Sequence, residues 1–275
     1  MMPEWFAVVL VAATVGLAGI LVAGAAYALA AARRSLSGGP VASLAGGGQR
    51  PRATDLASAA GGAAAVLVAW AGLSLILAGH GAFASRAATT FPWIGVGIAL
   101  PVGLGLGVAA ASPGIRRLVD ALPAAGLIGV QTYRVLGVLF LVAYAEHRMP
   151  GPFALPAGIG DVAVGLAAPL VAYALATGFR SARALGVAWN IAGIADLVLA
   201  VSMGFSTSPS AFEWLANGSP NLLITRWPFV LIPVFAVPVS ILLHAAALRR
   251  LRRPATAAAL VQPTRSGHLA QRLSA

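Results

Sequence analysis

Seven long apolar runs dominate the sequence. They cover residues 5–32, 57–79, 91–112, 123–145, 155–178, 184–204 and 227–247. A helix needs about 20 mostly apolar residues to cross the hydrocarbon core of a bilayer. In lipid, the backbone must satisfy its hydrogen bonds within the helix itself. The sequence therefore predicts an all-α fold, a polytopic membrane bundle of seven transmembrane helices.

Composition excludes several classes of soluble protein and of chemistry. The chain is 59% apolar and only 9% charged, with a mean hydropathy of +0.89, whereas soluble domains carry about 25% charged residues. It has no cysteine, which rules out disulfides, zinc–thiolate sites, iron–sulfur ligation and thiol catalysis. All 18 basic residues are arginine, so no lysine can form a Schiff base. Lysine-free, alanine-rich usage is typical of a high-GC bacterial genome, and we expect a bacterial inner-membrane protein.

The distribution of arginine predicts an orientation. If the N-terminus is outside, the loops on the cytoplasmic side hold 14 arginines, and the outer loops hold only Arg86, Arg148 and Arg226. Basic residues concentrate in the cytoplasmic loops of membrane proteins, so we predict an outer N-terminus and a cytoplasmic C-terminus. This placement puts the positive charge beside anionic lipid headgroups. The lipid bilayer thus explains the net charge of +11, and no nucleic-acid partner is expected.

The chain divides into a membrane domain and a tail. Residues 1–253 form the predicted transmembrane domain, interrupted at 33–56 by a cytoplasmic loop rich in Gly, Pro, Ser and Ala. Residues 254–275 have a similar composition. Segments of this kind are typical of flexible linkers, and we predict both to be flexible.

Arg134 is the most informative residue because it lies halfway along the fourth apolar run. At about 1.5 Å per residue, it sits roughly 18 Å below the outer end of that run. A charge at this depth costs at least about 2.5–3.5 kcal/mol unless it is paired. Asp196 in the sixth run and Asp161 in the fifth lie roughly 12 and 9 Å below the same surface. We therefore predict an ion cluster among the fourth, fifth and sixth helices.

Helical spacing predicts the faces that carry this cluster. On the fifth helix, small residues at spacings of three and four favour close packing. The predicted faces comprise Gly158, Asp161, Gly165, Ala168 and Ala172 on the fifth helix, Gln131, Arg134, Val138, Leu141 and Ala145 on the fourth, and Trp189, Gly193, Asp196 and Ala200 on the sixth.

One guanidinium facing two carboxylates leaves one carboxylate in surplus. In a low-dielectric site that surplus favours a bound proton, which is what a proton-coupled carrier requires. A structural cluster that only fixes helix register gives the same pattern. Gln131 and Asn190 widen the candidate binding site, although interhelical hydrogen bonds explain such residues equally well. Asn190 is six residues before Asp196, so it is expected to contact a different helix.

The histidines offer little for a metal or cofactor site. His80 and His147 both lie at the predicted outer edge and are the only pair that could bind haem from two sides. His244 lies near the predicted inner edge. No metal-binding or hydrolase motif is present, so no metal, catalytic residue or resident cofactor is expected.

Four stretches resemble a family of uncharacterised bacterial integral membrane proteins. They are QTYRVLGVLFL (131–141), FALPAGIGD (153–161), AWNIAGIADLVLAVSMG (188–204) and WPFVLIPVFAVP (227–238). The resemblance covers roughly the second half of the chain. It implies a multi-pass membrane protein and carries over no catalytic residue.

The sequence best fits a small-solute carrier or binding protein with Arg134, Asp161 and Asp196 at its centre, and a proton or small molecule as its ligand. Two alternatives stay open. One is a membrane redox or haem-binding subunit that uses His80 and His147. The other is a non-catalytic scaffold or signalling partner whose ion cluster is structural. Neither the solute nor the oligomeric state follows from the sequence.

Overall fold

A computed structural model describes residues 3–37, 53–84, 93–210, 212–215 and 220–252. The fold is 85% helical, and the described residues contain no strand. The all-α prediction is confirmed. The predicted flexible tail at 254–275 lies outside the described residues, as does most of the predicted loop at 33–56.

Seven of the described helical spans are long and apolar enough to cross a membrane. They are Glu4–Ala31, Asp55–Gly79, Trp93–Ala111, Ala124–Ala145, Gly151–Thr177, Ala182–Thr207 and Ile232–Arg252. Each corresponds to one apolar run of the sequence. The largest differences are in the fifth and seventh spans, and the seventh ends five residues late, at Arg252. The fifth span begins four residues early, because Pro152 fits the first turn of a helix. The seventh begins five residues late, because 227–230 form turns.

The helices, in chain order, are α1 (Glu4–Ser37), α2 (Ala53–Gly79), α3 (Trp93–Ala111), α4 (Pro113–Ala121), α5 (Ala124–Gly129), α6 (Val138–Ala145), α7 (Gly151–Thr177), α8 (Ala182–Thr207) and α9 (Val237–Arg252). A 3₁₀ helix, Val130–Gly137, joins α5 to α6, so the fourth span has three parts. A π-helical turn, Ile232–Ala236, precedes α9, and a short 3₁₀ turn covers Leu223–Thr225.

Helix α4 is a short amphipathic element that the apolar runs do not predict. The Ser112 hydroxyl accepts a hydrogen bond from the Ile115 amide at 3.3 Å, and Pro113 occupies the first turn. Both features are typical of helix starts. Leu118 is buried against α1 and α2, beside Ala28 and Leu56. The helix thereby closes one end of the bundle.

The core runs through the bundle as three apolar clusters. One end holds Phe6, Phe140, Phe153 and Phe229, the middle contains Leu17, Ile128 and Phe235, and the other end contains Ala28, Leu56 and Leu118. The outer surface is also apolar, with exposed residues such as Val8, Val66, Leu170, Tyr173 and Val198. A soluble protein rarely exposes a large continuous apolar surface, whereas lipid requires one.

One end of the bundle carries most of the described arginines, and we call it the basic end. At this end Arg249 forms a two-bond ion pair with Asp120 at 3.0 and 3.1 Å. Arg250 donates to the Leu122 carbonyl at 3.0 Å, and Arg183 to the Arg252 carbonyl at 3.0 Å. As the sequence predicts, the structure therefore has more arginines at one end of the bundle than at the other.

Proline shapes the start of the seventh span. Pro238 has no N–H and so cannot bond the carbonyl of Val234, four residues earlier. The indole Nε1 of Trp70 on α2 donates to that carbonyl instead, at 3.2 Å. The Tyr133 hydroxyl donates to the Ala236 carbonyl at 2.9 Å and also bonds Ser240. Side chains from α2 and the 3₁₀ helix thus satisfy carbonyls of the π turn and tie the span in place.

Candidate functional site

The 3₁₀ helix sets the face on which Arg134 lies. A 3₁₀ helix has three residues per turn, so side chains at i and i+3 eclipse each other. Gln131, Arg134 and Gly137 follow this spacing and are the buried residues of the segment. The sequence prediction assumed α-helical spacing and placed Val138 on this face, which is wrong: Val138 is 41% exposed. Because this segment winds as a 3₁₀ helix, Gly137 and not Val138 lies on the buried face next to Arg134.

Glycines let the backbones of the fourth span and α7 approach each other closely. A methyl group at Gly165 would overlap the Val135 amide nitrogen, and one at Gly158 would overlap the Leu141 side chain. Gly137 lies against the Asp161 side chain in the same way. The predicted small-residue stripe on α7 therefore faces the Arg134 segment. This contact holds Asp161 within reach of the guanidinium.

The guanidinium of Arg134 lies between two carboxylates. Its Nε and Nη2 contact the Asp161 Oδ1 at 2.8 and 2.7 Å, and Nη2 also donates to Asp196 Oδ2. The Arg134 side chain is 2% exposed, and the two aspartates are 13% and 11% exposed. The structure thus brings together the three charges that the sequence predicts, with α7 and α8 each supplying one carboxylate.

The third nitrogen of Arg134 bonds the far side of the site. Nη1 donates to the Gly193 carbonyl at 3.3 Å and lies 3.3 Å from His244 Nε2. The predicted cluster does not include His244, but the structure places it there, fully buried on α9 against Gly193. Arg134 thereby contacts α7, α8 and α9 at once. Every nitrogen of the buried charge has a partner, as a buried ion requires.

A chain of hydrogen bonds leads from Arg134 to Asn190. His244 Nδ1 lies 2.8 Å from Asn190 Oδ1, and Asn190 Nδ2 donates to the Gly186 carbonyl at 2.7 Å. An arginine can only donate, so His244 Nε2 accepts from it and Nδ1 donates to Asn190. These bonds define a neutral imidazole with its proton on Nδ1. Asn190 therefore contacts a different helix, as its spacing from Asp196 predicts.

The position of His244 beside Asn190 can be predicted from the distance of each residue from the arginines at the basic end. Asn190 is seven residues after Arg183, and His244 is eight residues before Arg252, while Arg183 bonds the Arg252 carbonyl at the basic end. Antiparallel neighbouring helices joined there bring residues at these offsets to the same level. When depth is measured from the arginines, and not from the ends of the apolar runs, Asn190 and His244 are predicted to lie at the same level.

Gln131 lies one 3₁₀ turn from Arg134 and is fully buried. Its amide oxygen and nitrogen have no hydrogen-bond partner among the described residues. Buried amides without partners are rare and costly. Gln131 therefore belongs to the buried face of the site but does not bond the ion cluster.

Two small cavities meet at Asp161. One, of about 40 Å³, lies between α1 and the seventh span and is also lined by Ala13, Tyr133 and Arg134. The other, of about 50 Å³, extends to the C-terminal end of α8, where Ser208 and Ser210 line it. Each can hold a few water molecules. Both are far below the roughly 300–1,000 Å³ of a site for a drug-sized ligand.

Metal and haem chemistry gain no support from the described part of the chain. It contains no group of three or more His, Asp or Glu side chains placed to hold a metal ion. His80 follows the end of α2 and His147 follows the end of α6. Haem binding by this pair stays a prediction, which an absorption spectrum of the purified protein would check.

The comparisons with known proteins identify a family and nothing closer. No curated protein and no solved structure matches the chain. One family model, described as a domain of unknown function (DUF8737), matches residues 91–252. The match covers more than half of the chain and contains Arg134, Asp161, Asp196 and His244. The chain therefore belongs to the DUF8737 family of domains of unknown function.

Proposed function

We propose that this protein is a proton-linked carrier or binding protein for a small solute, with Arg134, Asp161 and Asp196 as its proton-binding cluster. In its proposed setting, the bacterial inner membrane, the N-terminus is outside and the basic end faces the cytoplasm. The arginine asymmetry between the two ends supports this orientation.

The charge count of the cluster supports proton binding. Asp161 and Asp196 both contact Arg134, and the third titratable group on that guanidinium, His244, is neutral by its hydrogen bonds. When both carboxylates are ionised, these four side chains have a net charge of −1 within an apolar bundle. A proton on one carboxylate neutralises it. The two titrate as a pair because they share one cation.

The position of Asp161 on both cavities carries the proposal. The α1-side cavity reaches the carboxylate from one direction, and the α8-side cavity from another. A titratable group that contacts two separate water-sized spaces can exchange its proton with either. Sites of proton-coupled carriers need this arrangement, whereas a purely structural ion pair gains nothing from it.

In this conformation the cavities admit water and exclude a solute. We propose that the solute enters when one cavity widens, and that the π turn at Ile232–Ala236 is the element that moves. Its residues line both cavities, and π-helical turns are common at functional sites. Gln131, which is buried and has no hydrogen-bond partner in the described part of the chain, and Asn190 are the proposed polar contacts for the solute.

Thiol labelling tests the proposal, because the chain has no cysteine and any introduced one is unique. Ala13→Cys lies in the α1-side cavity and Ala200→Cys in the α8-side cavity. In oriented vesicles, a water-soluble thiol reagent should label both positions faster than a position buried in the core. Ala168→Cys is the control, since Ala168 is fully buried in the apolar core. If neither cavity position reacts faster than Ala168→Cys, the cavities are not connected to water and the cluster is structural.

A further inference from the structure

A continuous apolar crevice runs between α2, α3 and α9, apart from the ion cluster. It consists of two adjoining cavities of about 270 and 450 Å³. They share the lining residues Ala63, Leu67, Gly105, Ile115, Val239 and Leu242. Each is comparable in size to sites that bury organic ligands, which are roughly 300–1,000 Å³. Helix α3 borders the crevice and is the least buried of the spans.

The crevice has one charged end and one apolar end. Arg116 and Arg249 line it at the basic end, whereas Trp70, Pro101 and Pro238 line it in the middle of the bundle. From Ser58 to Trp70, both on its wall, α2 rises roughly 18 Å at about 1.5 Å per residue. Half of the hydrocarbon core is about 15 Å thick. The crevice therefore spans one leaflet, from its surface to its centre.

The charged end favours an anionic group. Arg116 donates to the carbonyls of Ala109, at 3.4 Å, and Ala110, both through Nη1. Its Nε and Nη2 have no hydrogen-bond partner among the described residues. Around this end, the arginines Arg116, Arg117, Arg249 and Arg250 outnumber the aspartates Asp55 and Asp120. Basic pockets between helices at a membrane surface bind anionic lipid headgroups.

We infer that the crevice binds one anionic phospholipid. An acyl chain fills the apolar length, and the phosphate accepts hydrogen bonds from Arg116 at the basic end. The length, the apolar walls and the single charged end all match a lipid of one leaflet. A water-soluble ligand would need polar contacts along the crevice, where the walls are almost entirely apolar. This site is independent of the proposed proton chemistry.

Two adjacent glycines allow a matched test of the acyl-chain site. Gly62 lines the crevice and Gly61 does not, and a Cβ added at either would meet no atom within 4 Å. Gly62→Leu should therefore fill the crevice without disturbing the fold, and Gly61→Leu is its control. In detergent, phosphatidylglycerol should raise the melting temperature of the wild type more than phosphatidylcholine does. Gly62→Leu should abolish that rise and reduce the lipid retained in native mass spectra, whereas Gly61→Leu should keep both.

Arg116→Gln tests the headgroup contact, with Arg180→Gln as a control at the same end. Arg116→Gln should respond equally to the two lipids, and Arg180→Gln should keep the preference for phosphatidylglycerol. Comparing two lipids on one variant separates this effect from any loss of stability. Equal responses in the wild type would overturn the inference, as would a full response in Gly62→Leu. A Gly62→Leu variant that changes oligomeric state instead of lipid content would show that a second copy of the chain fills the crevice.

Discussion

At the scale of single residues, the stability of the site depends on how completely Arg134 is bonded. Its three nitrogens contact two carboxylates, the Gly193 carbonyl and His244. Replacing a buried ion pair with apolar groups is often neutral, whereas removing one partner leaves a charge unpaired and costs several kcal/mol. The three charges are therefore expected to act as a unit, so that single changes damage the fold more than a combined change.

Arg134→Met should lower the free energy of unfolding by about 3–5 kcal/mol, because it leaves two carboxylates without their cation. Adding Asp161→Asn and Asp196→Asn to the same chain should recover much of that loss. Thermal unfolding in detergent measures both effects. Arg249→Met is the control, since its pair with Asp120 is partly exposed at the bundle end and should cost about 1 kcal/mol or less. A triple variant no more stable than Arg134→Met would show that the charges do not act as a unit.

At the scale of elements, the contact between the 3₁₀ helix and α7 positions the cluster. Hydropathy and small-residue spacing predict that these spans pack together, and they do. The same signals miss the 3₁₀ winding around Arg134 and the π turn near Pro233, since both depend on contacts from other helices. They also miss α4, because its nine residues are too few and too polar to form an apolar run. His244 was missed because its depth was measured from the end of the seventh apolar run, at residue 247, whereas α9 continues to Arg252.

Gly165→Ala tests the close approach of these two elements. A methyl group there would overlap the Val135 backbone, which cannot move without shifting Arg134. We expect a loss of about 1–3 kcal/mol, as for other overpacked sites. Gly61→Ala, which meets no neighbour, should instead gain up to about 1 kcal/mol from helix propensity. If the two variants unfold at the same temperature, the close packing of α7 on the 3₁₀ helix is not present.

Trp70→Phe tests how the π turn is held. It would leave the Val234 carbonyl without the indole donor that replaces the missing Pro238 N–H, at a cost of about 1–3 kcal/mol. Trp189→Phe is the matched control. Trp189 donates to the Val164 carbonyl at 3.1 Å, but Ala168 can also bond that carbonyl within α7. Equal losses of stability in the two variants would show that the Val234 carbonyl, which Pro238 cannot bond, does not depend on the Trp70 indole.

At the scale of the whole molecule, the apolar exterior and the seven spans indicate a multi-pass membrane protein, and the arginines at one end predict its orientation. A reporter fused after Arg253 should be cytoplasmic, and one inserted within 206–224 should be periplasmic. Alkaline phosphatase and fluorescent-protein fusions distinguish the two compartments. The opposite pattern would reverse the proposed orientation while leaving the ion cluster unchanged.

The proposed proton linkage requires that the cluster of Arg134, Asp161 and Asp196 holds one proton. Infrared spectra of the purified protein, recorded across a pH titration, measure this directly through the C=O stretch of a protonated carboxylic acid. At neutral pH we predict such a band in the wild type and its loss in both Asp161→Asn and Asp196→Asn, because each variant leaves one carboxylate facing one guanidinium. Asp120→Asn, which removes a carboxylate at the bundle end and leaves the cluster intact, should keep it. A wild-type spectrum without the band at neutral pH, or a band that remains in both cluster variants, would show that the cluster does not hold the proton.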